Sequence, residues 1–251
     1  MRENTAKTKM LADEAVYGFA VNGGSPVVTE WLARTGPDFL LLDEQHGSFG
    51  ADAMATSILA CTAAGCVPMA RPARNDYTMI AKLLDEGALG IVVPMVDTPE
   101  QARAAADACR FPPAGTRSHG WSGAQRLGDD YFAGIGEQLF VAVQIESVLA
   151  VENAEAIMAT PGIDGCWIGP ADLSLSLGIS PRESATHDGF LRCLERVVEA
   201  CKNTGKVPGF AAFTPEDALR ARGQGFRYLT AGWDLGFMTS GATAGLALLR
   251  G

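Results

Sequence analysis

The sequence predicts an α/β fold, a TIM (β/α)8 barrel that takes up residues 1–251 as a single domain. The length of 251 residues matches the roughly 250 residues that such a barrel needs. Short apolar runs alternate with longer amphipathic segments from one end of the chain to the other, and no linker interrupts the alternation. Eight such units indicate a parallel sheet that closes on itself.

The eight strands are predicted from short apolar runs that are rich in β-forming residues. In chain order they cover residues 16–21, 39–42, 67–70, 90–94, 140–145, 165–168, 208–213 and 227–231. The even spacing of these runs is what predicts a barrel with a helix after each strand.

Helices are predicted between the strands, and two of them begin at recognisable caps. Thr98-Pro99-Glu100-Gln101 places a capping Thr before a Pro at the first helical position and a Gln at the third, and Thr214-Pro215-Glu216 repeats the pattern. Apolar stripes predict further helices over residues 51–64, 77–86, 149–159, 190–203 and 235–249. Residues 111–138 form a longer Gly-rich, polar connection, which is either functional or a surface or oligomer contact.

Charge and composition exclude several kinds of partner. The net charge of −9 repels nucleic acid and anionic lipid, and no basic run with interleaved aromatic residues offsets it. No apolar run approaches the roughly 18 residues of a membrane span, so we expect a cytoplasmic protein with no membrane contact. The six cysteines form no C-x-x-C pair and are predicted to be reduced core thiols.

Polar side chains follow four of the predicted strands at the point where each strand ends. The second strand ends in Asp43-Glu44-Gln45-His46, the third in Arg71, the fifth in Gln144-Ile145-Glu146, and the sixth runs into Gly169-Pro170-Ala171-Asp172. Because a TIM barrel builds its active site at the carboxyl ends of the strands, these groups are predicted to meet at one mouth.

Glu146 and Asp172 follow consecutive strands, which lie under about 5 Å apart in a sheet. Two unpaired carboxylates at that spacing repel each other, and a hard divalent cation such as Mg²⁺ or Mn²⁺ relieves the repulsion. Such an ion keeps open positions for a bidentate substrate. Taken singly, each acid is equally well explained as a capping or surface carboxylate.

His46 and Arg71 are the candidates for proton transfer and charge stabilisation. His46 directly follows an apolar strand, where a neutral imidazole can act as a base. Arg71 is a permanent cation that can hold an anionic oxygen, or it forms a salt bridge to Asp43. Asp43, Asp85 and Arg71 could form one network that orients His46, although Asp85 could equally be an exposed helix acid.

The five lysines argue against a Schiff-base mechanism, which needs a desolvated lysine at the mouth. None is predicted there: they are Lys7 and Lys9 in the N-terminal segment, Lys82 and Lys202 in helices, and Lys206 before its strand. A metal ion is therefore favoured over an imine.

Several segments together resemble the HpcH/HpaI aldolases, which include 4-hydroxy-2-oxoheptanedioate and 2-keto-3-deoxyglucarate aldolases. The most specific segments are FLLLDEQH (39–46), residues 82–113, VQIES (143–147) and GIDGCWIGPADLSLSLG (162–178). The resemblance spans nearly the whole chain and implies a barrel of the phosphoenolpyruvate/pyruvate-binding type.

The resemblance also implies a role for each candidate residue. Glu146 and Asp172 would bind Mg²⁺ or Mn²⁺, with Co²⁺ possible, and Gln144 would lie near the metal ligands. His46 would act as the base through water, supported by Asp85, while Arg71 would stabilise the enolate oxygen. The N–H groups of Ala171 and Asp172 would take the pyruvate carboxylate, and Asp43 would lie near the aldehyde-derived hydroxyl.

The implied activity is a class II aldolase that reversibly cleaves 4-hydroxy-2-oxo acids to pyruvate and an aldehyde, through the enolate of pyruvate chelated by the metal. Two alternatives use the same enolate, an oxaloacetate decarboxylase and a macrophomate-synthase-like enzyme. A catalytically silent protein that binds 2-oxo acids is a third. The resemblance further implies a homo-hexamer, a trimer of dimers with exchanged C-terminal helices, so that residues 242–249 pack either on a neighbour or on their own barrel.

Two departures from the family pattern concern the aldehyde. Glu44-Gln45-His46 stands where many relatives have Gly-Glu-His, and Ala20 stands where some have Trp. A different acceptor pocket is expected. Residues 117–121 also place a second histidine, His119, near the predicted mouth, with its role open.

Overall fold

The computed structural model describes residues 1–120 and 123–251. Trp121, the last residue of the predicted segment 117–121, lies outside the described residues. The described chain contains eight parallel strands that close into a barrel in chain order, which confirms the predicted fold. The strands are β1 (Val16–Val21), β2 (Phe39–Asp43), β3 (Val67–Arg71), β4 (Gly90–Val93), β5 (Phe140–Ile145), β6 (Gly165–Ile168), β7 (Gly209–Ala212) and β8 (Tyr228–Trp233).

The strand bounds differ from the predicted ones at a few ends. β2 and β3 each extend by one residue, because Asp43 and Arg71 continue the ladder as register partners. β7 loses its predicted first residue and its last, while β8 begins one residue late and runs on to Trp233. β2 and β5 are buried along their whole length, as expected for strands enclosed by helices and by the barrel interior.

Helices cover the outside of the barrel. They are α1 (Thr5–Leu11), α2 (Pro26–Ala33), α3 (Ala51–Ala63), α4 (Tyr77–Asp85), α5 (Pro99–Cys109), α6 (Tyr131–Gln138), α7 (Val148–Glu152), α8 (Ala154–Met158), α9 (Pro170–Ser176), α10 (Asp188–Thr204), α11 (Pro215–Gly223) and α12 (Asp234–Arg250). Gly123–Leu127 and Ser184–Thr186 are short 3-10 helices.

The cap predictions hold, while one predicted helix is divided. Thr98 and Gln101 form the reciprocal capping box at the start of α5, and Thr214 accepts a hydrogen bond from the Asp217 N–H at the start of α11. The single helix predicted over 149–159 is two short helices, α7 and α8. Asn153 separates them, and its side-chain amide donates to the carbonyl of Asp97 at 2.8 Å instead of facing solvent on a continuous helix.

The described residues of the connection over 111–138 form a small cluster that packs against the barrel. The side chain of Arg117 is buried, with its guanidinium 4.6 Å from the ring of Phe111 and an Nη2 that donates to Asp85 at 2.7 Å. His119 stacks on Phe132 with ring centroids 3.9 Å apart. Since this connection follows the carboxyl end of α5, it begins at the end of the barrel opposite the strand carboxyl ends.

α12 leaves the barrel after its first turn, in which Phe237 still packs edge to face on Phe19 with ring centroids 5.0 Å apart. Asp234 is its only buried residue, whereas Leu248 and Leu249 are 86% and 84% exposed. Of the two alternatives for residues 242–249, packing on their own barrel is therefore not observed. Among the described residues, no helix has the length and apolar character needed to cross a membrane.

Candidate active site at the carboxyl end of the barrel

A cavity of about 430 Å³ opens at the carboxyl ends of the strands. Its walls include His46, Arg71 and Gln144 from the predicted set, together with Ala171 and Asp172 at the start of α9. Asp43 also reaches the wall, and Glu146 lies directly behind Gln144 and Gly169. The structure thus brings together every predicted site residue except Asp85.

Asp43 and Arg71 form a two-point ion pair across neighbouring strands. Nε of Arg71 donates to Oδ1 of Asp43 at 2.8 Å, and Nη2 donates to Oδ2 at 2.5 Å. The Asp43 side chain is 1% exposed and that of Arg71 is 11% exposed, so solvent does not compete strongly for either. A bidentate pair of this kind fixes the direction of the guanidinium plane.

Further hydrogen bonds extend the pair in both directions. Nδ2 of Asn22 donates to Oδ2 of Asp43 at 2.7 Å, and Nη1 of Arg71 donates to Oε1 of Gln144 at 3.2 Å. Nε2 of Gln144 then donates to Oε2 of Glu146 at 2.7 Å. One chain of hydrogen bonds therefore runs from β1 through β2, β3 and β5, and it holds each polar group in place.

The carboxylate of Asp43 also ties down the loop that carries His46. Oδ1 accepts the main-chain N–H of Gln45 at 3.0 Å and that of His46 at 3.3 Å. With the donors from Arg71 and Asn22, five N–H groups occupy this one carboxylate. The structure therefore makes Asp43 a positioning residue, and its predicted contact with the aldehyde-derived hydroxyl stays a prediction.

Glu146 is 4% exposed and lies near a second carboxylate. Burial of its carboxyl is the largest cause that raises its pKa to about 7, and the negative charges of Asp172 and Asp97 add to the rise. Two groups oppose the rise: the Met95 N–H, which donates to Oε1 at 2.9 Å, and the positive charge of Arg71. A buried carboxyl beside another acid is thus costly to ionise without an added cation.

The donor set fits a hard divalent cation. Within residues 1–120 and 123–251, no three His, Cys, Asp or Glu side chains converge as in a closed metal site. Glu146 and Asp172 supply oxygen ligands only, which suits an ion that keeps several waters and open positions. Gly169 makes room for this arrangement, since a Cβ placed there would overlap Oε2 of Glu146.

The start of α9 presents main-chain donors to the cavity. Gly169 precedes the helix and gives it no side-chain cap, and Pro170 is its first residue. The N–H groups of Ala171 and Asp172 belong to the first turn, where an α-helix has no internal acceptors for them. Both residues line the cavity, as the prediction for a carboxylate-binding turn requires.

The prediction that Asp85 joins Asp43 and Arg71 in one network is wrong for the single chain. Asp85 is the last residue of α4, which starts after β3 and runs toward the opposite end of the barrel. Its carboxylate accepts from Arg117, and it lines a separate cavity of about 180 Å³ together with His119. His119 lines this separate cavity and not the mouth.

The lysines lie where the sequence analysis places them. Lys7 is buried, and its Nζ donates to the carbonyl of Leu139 at 2.7 Å at the amino-terminal end of the barrel. Nζ of Lys206 donates to the carbonyl of Ile163 at 2.6 Å. No lysine lines the mouth cavity in the part of the chain that the structure describes.

Several cavity residues were not predicted. Asn22 follows β1, Trp167 lies on β6 with its ring 5.4 Å from the Arg71 guanidinium carbon, and Phe213 and Trp233 form one wall. Only Trp167 had a usable signal, since it lies within the segment GCWIGPAD that leads into Asp172. The others carry no acid or base and so were not picked out by a search for reactive groups.

Known proteins resemble this chain along most of its length. The model of the HpcH/HpaI aldolase/citrate lyase family matches residues 17–240. A 2-keto-3-deoxy-L-rhamnonate aldolase of Klebsiella pneumoniae is 34% identical over 251 residues, which cover 98% of this chain and 93% of the relative.

Solved structures match over nearly the whole chain. An HpcH/HpaI aldolase/citrate lyase family protein from Burkholderia cenocepacia superposes with a TM-score of 0.92 at 31% identity, covering 99% of this chain and 100% of that one. Macrophomate synthase superposes with a TM-score of 0.88 at 27% identity, covering 98% and 88%.

Proposed function

Since this chain belongs to the HpcH/HpaI aldolase/citrate lyase family, we propose that it is a divalent-metal-dependent class II aldolase that reversibly cleaves 4-hydroxy-2-oxo acids to pyruvate and an aldehyde. It is a carbon–carbon lyase, as the family and the curated relatives establish. The metal and the pyruvate half of the substrate are the proposed part.

One observation carries the proposal: the hydrogen-bond chain that places a fixed arginine beside a carboxylate pair at the barrel mouth. Arg71 reaches Glu146 through Gln144, and Asp172 faces the same cavity from the start of α9, which follows β6. A 2-oxo acid presents a carboxylate and a neighbouring carbonyl oxygen, and both can be held between these groups.

Glu146 and Asp172 would hold the divalent ion, with Gln144 fixing the direction of the Glu146 carboxylate at 2.7 Å. When bound, such an ion supplies Lewis-acid stabilisation of negative charge on the 2-oxo oxygen, an effect of several kcal/mol. The N–H groups of Ala171 and Asp172 would take the carboxylate of the 2-oxo acid.

Arg71 supports charge development on the same oxygen. Three of its five N–H donors are used by Asp43 and Gln144, so two remain for substrate among the described contacts. Because Asp43 holds the guanidinium in place before substrate arrives, no reorganisation is needed as the enolate forms.

His46 would move the proton. It lies at the rim of the cavity, its main chain is held by Asp43, and its exposed position lets the imidazole reach a substrate carbon or hydroxyl through water. In cleavage it would accept the proton of the 4-hydroxyl, and it would return a proton to the methylene carbon of the enolate. A general base of this kind contributes about 10²- to 10⁴-fold.

The test uses the full chain with pyruvate alone and with a 4-hydroxy-2-oxo acid. NMR would follow exchange of the pyruvate methyl protons into deuterated water, and a coupled assay would follow pyruvate release, each with Mg²⁺, with Mn²⁺ and with a chelator. We expect both reactions with metal and neither with chelator. Turnover that is indifferent to the chelator would contradict the proposal.

A second candidate function is decarboxylation of oxaloacetate or another reaction of the enolate that it yields. The structural match to macrophomate synthase, which is 27% identical over 98% of this chain, favours it. The same donor groups could stabilise the enolate that forms when oxaloacetate loses carbon dioxide. Rates with oxaloacetate and with 4-hydroxy-2-oxo acids, measured on one preparation, decide between the two. Faster turnover of oxaloacetate would favour the second candidate.

A further inference from the structure

The mouth cavity has two halves that come from different strands. β2, β3, β5 and β6 supply Asp43, Arg71, Glu146 and the other ionisable groups. β1, β7 and β8 and the residues that directly follow them supply the remaining wall. Its described lining residues carry no charge: Ala20, Asn22, Ala211, Ala212, Phe213, Thr230, Gly232 and Trp233. This second wall, called the acceptor wall below, faces the side away from the carboxylate pair.

Two polar side chains on the acceptor wall each donate a hydrogen bond within the protein. Nδ2 of Asn22 donates to Asp43 at 2.7 Å, and the buried hydroxyl of Thr230 donates to the carbonyl of Ala212 at 3.4 Å. One N–H of Asn22 and the hydroxyl proton of Thr230 are therefore not free to donate to a hydroxyl group of a substrate.

Asp234, a second acid that contacts this wall, is also held within the protein. Asp234 is buried, and its two carboxylate oxygens accept the N–H groups of Asn22, Gly23 and Leu235 at 2.8–2.9 Å. These hydrogen bonds tie the start of α12 to the loop after β1. No arginine or lysine lies among the described residues of the acceptor wall.

Two aromatic rings form the apolar part of the wall. Phe213 and Trp233 pack edge to face with ring centroids 5.8 Å apart, and Phe213 is 53% exposed at the rim. Ala20 lies on the same wall and leaves space in front of the rings. A side chain of a substrate placed there would cover apolar surface that is otherwise in contact with water.

We propose that the acceptor wall binds the aldehyde and selects an uncharged aldehyde with an aromatic or branched aliphatic group over a hydroxylated or carboxylate-bearing one. This inference rests on the proposed function, which places pyruvate at the carboxylate pair. A terminal carboxylate packed against the rings would be desolvated with no cation on this wall to pair with it, since Arg71 lies on the other half of the cavity. Hydroxyl groups packed against the faces of the rings would lose water without gaining partners from them.

The experiment measures kcat/KM for four aldehydes with the full chain, Mn²⁺ and saturating pyruvate. Benzaldehyde and isobutyraldehyde represent the selected class, glyceraldehyde the hydroxylated class, and 4-oxobutanoate the carboxylate-bearing class. We expect kcat/KM for the first two aldehydes to be at least about tenfold higher, which is the lower end of the discrimination that one pocket contact provides. Equal values, or a preference for glyceraldehyde or 4-oxobutanoate, would overturn the proposal.

A variant pair tests whether the rings are responsible. Phe213→Ser should reduce the ratio of kcat/KM for benzaldehyde to that for glyceraldehyde by about tenfold. Leu219→Ser is the matched control, because Leu219 is an exposed apolar residue of α11 outside the cavity, and the ratio should not change. If both variants keep the wild-type ratio, the rings do not select the aldehyde.

Exchange of the pyruvate methyl protons without aldehyde separates this proposal from the proposed function. Exchange together with the expected ranking supports both. Exchange with no aldehyde accepted, or with the opposite ranking, overturns only the selectivity. Absence of exchange in the presence of Mg²⁺ and of Mn²⁺ overturns the pyruvate assignment, and the selectivity proposal falls with it.

Discussion

Asp43 and Arg71 are register partners at the ends of β2 and β3, and their side chains meet in a two-point ion pair at 2.8 and 2.5 Å. The register places both side chains on the same side of the sheet at the same height. The guanidinium is therefore aimed into the cavity by the barrel itself, and not by a loop.

Replacing Arg71 with Lys should lower kcat for aldol cleavage by about 10²- to 10³-fold, the range seen when one fixed donor to a developing oxyanion is lost. A compact ammonium cannot keep both bonds to Asp43 and also face the substrate. Steady-state cleavage rates measure the effect. Arg34→Lys is the control, since Arg34 forms an exposed pair with Glu30 on α2, and a fall of less than threefold in Arg71→Lys would contradict the assignment.

The carboxylate pair gives a prediction about metal binding that separates ligands from the base. Glu146→Gln and Asp172→Asn should each weaken Mn²⁺ binding by at least about 10²-fold. Losing a residue that only hydrogen-bonds to a metal ligand already costs up to about 10²-fold, and a ligand itself should cost at least as much. His46→Ala should leave the Mn²⁺ affinity nearly unchanged and abolish exchange of the pyruvate methyl protons. Calorimetry and NMR measure the two effects, and equal metal loss in all three variants would refute the division of roles.

Gly169 should be required for metal binding although it contributes no ligand. Its missing side chain leaves the space that Oε2 of Glu146 fills, so Gly169→Ala should displace that carboxylate and weaken Mn²⁺ binding by about tenfold or more. Gly136→Ala, in α6, is the matched control because a Cβ there meets nothing within 4 Å. Unchanged affinity in Gly169→Ala would show that Glu146 can move without cost.

The sequence was sufficient for the barrel and for the residues at strand ends. Asp43, Arg71 and Gln144 could be predicted to meet because parallel strands deliver their carboxyl ends to one edge, and the structure places them in hydrogen-bond contact. The chain direction of each predicted strand decides which of its ends faces the mouth.

Sequence reasoning did not predict how far from the mouth the residues of helices and connections lie. Asp85 is the ninth residue of α4, which carries it roughly 12 Å from the mouth at 1.5 Å per residue. His119 follows α5 and returns from the same far end. Phe213 and Trp233 were missed for another reason, since an aromatic residue at a strand end looks the same in sequence whether it fills a core or lines a pocket.

The raised pKa of Glu146 predicts how the stability of the metal-free protein depends on pH. A carboxyl with a pKa of about 7 in the folded chain and an ordinary pKa near 4.5 when unfolded binds its proton more tightly in the folded state. The free energy of unfolding should therefore fall as pH rises from about 4.5 to about 7. The loss is about 3 kcal/mol for this group.

Urea unfolding with a chelator present at pH 5 and pH 8 measures this loss. The difference between wild type and Glu146→Gln isolates it, because the variant has no carboxyl at this position and all other groups titrate in both proteins. The wild type should lose more stability than the variant over this range. Added Mn²⁺ should restore it at pH 8. An identical pH dependence in the two proteins would show that burial does not destabilise the Glu146 anion.

The exposed end of α12 predicts self-association. Leu246, Leu248 and Leu249 present apolar side chains on a helix that its own barrel does not cover, and such a surface is typical of a contact between subunits. We expect a homo-oligomer by light scattering, with the hexamer implied by the family resemblance as the specific form.

Changing both Leu248 and Leu249 to Glu should lower the measured mass, because two charges would be buried without partners. Leu11→Glu, at an equally apolar exposed site on α1, should keep the wild-type mass. A monomeric wild type, or an unchanged mass in the double variant, would show that α12 does not hold the subunits together.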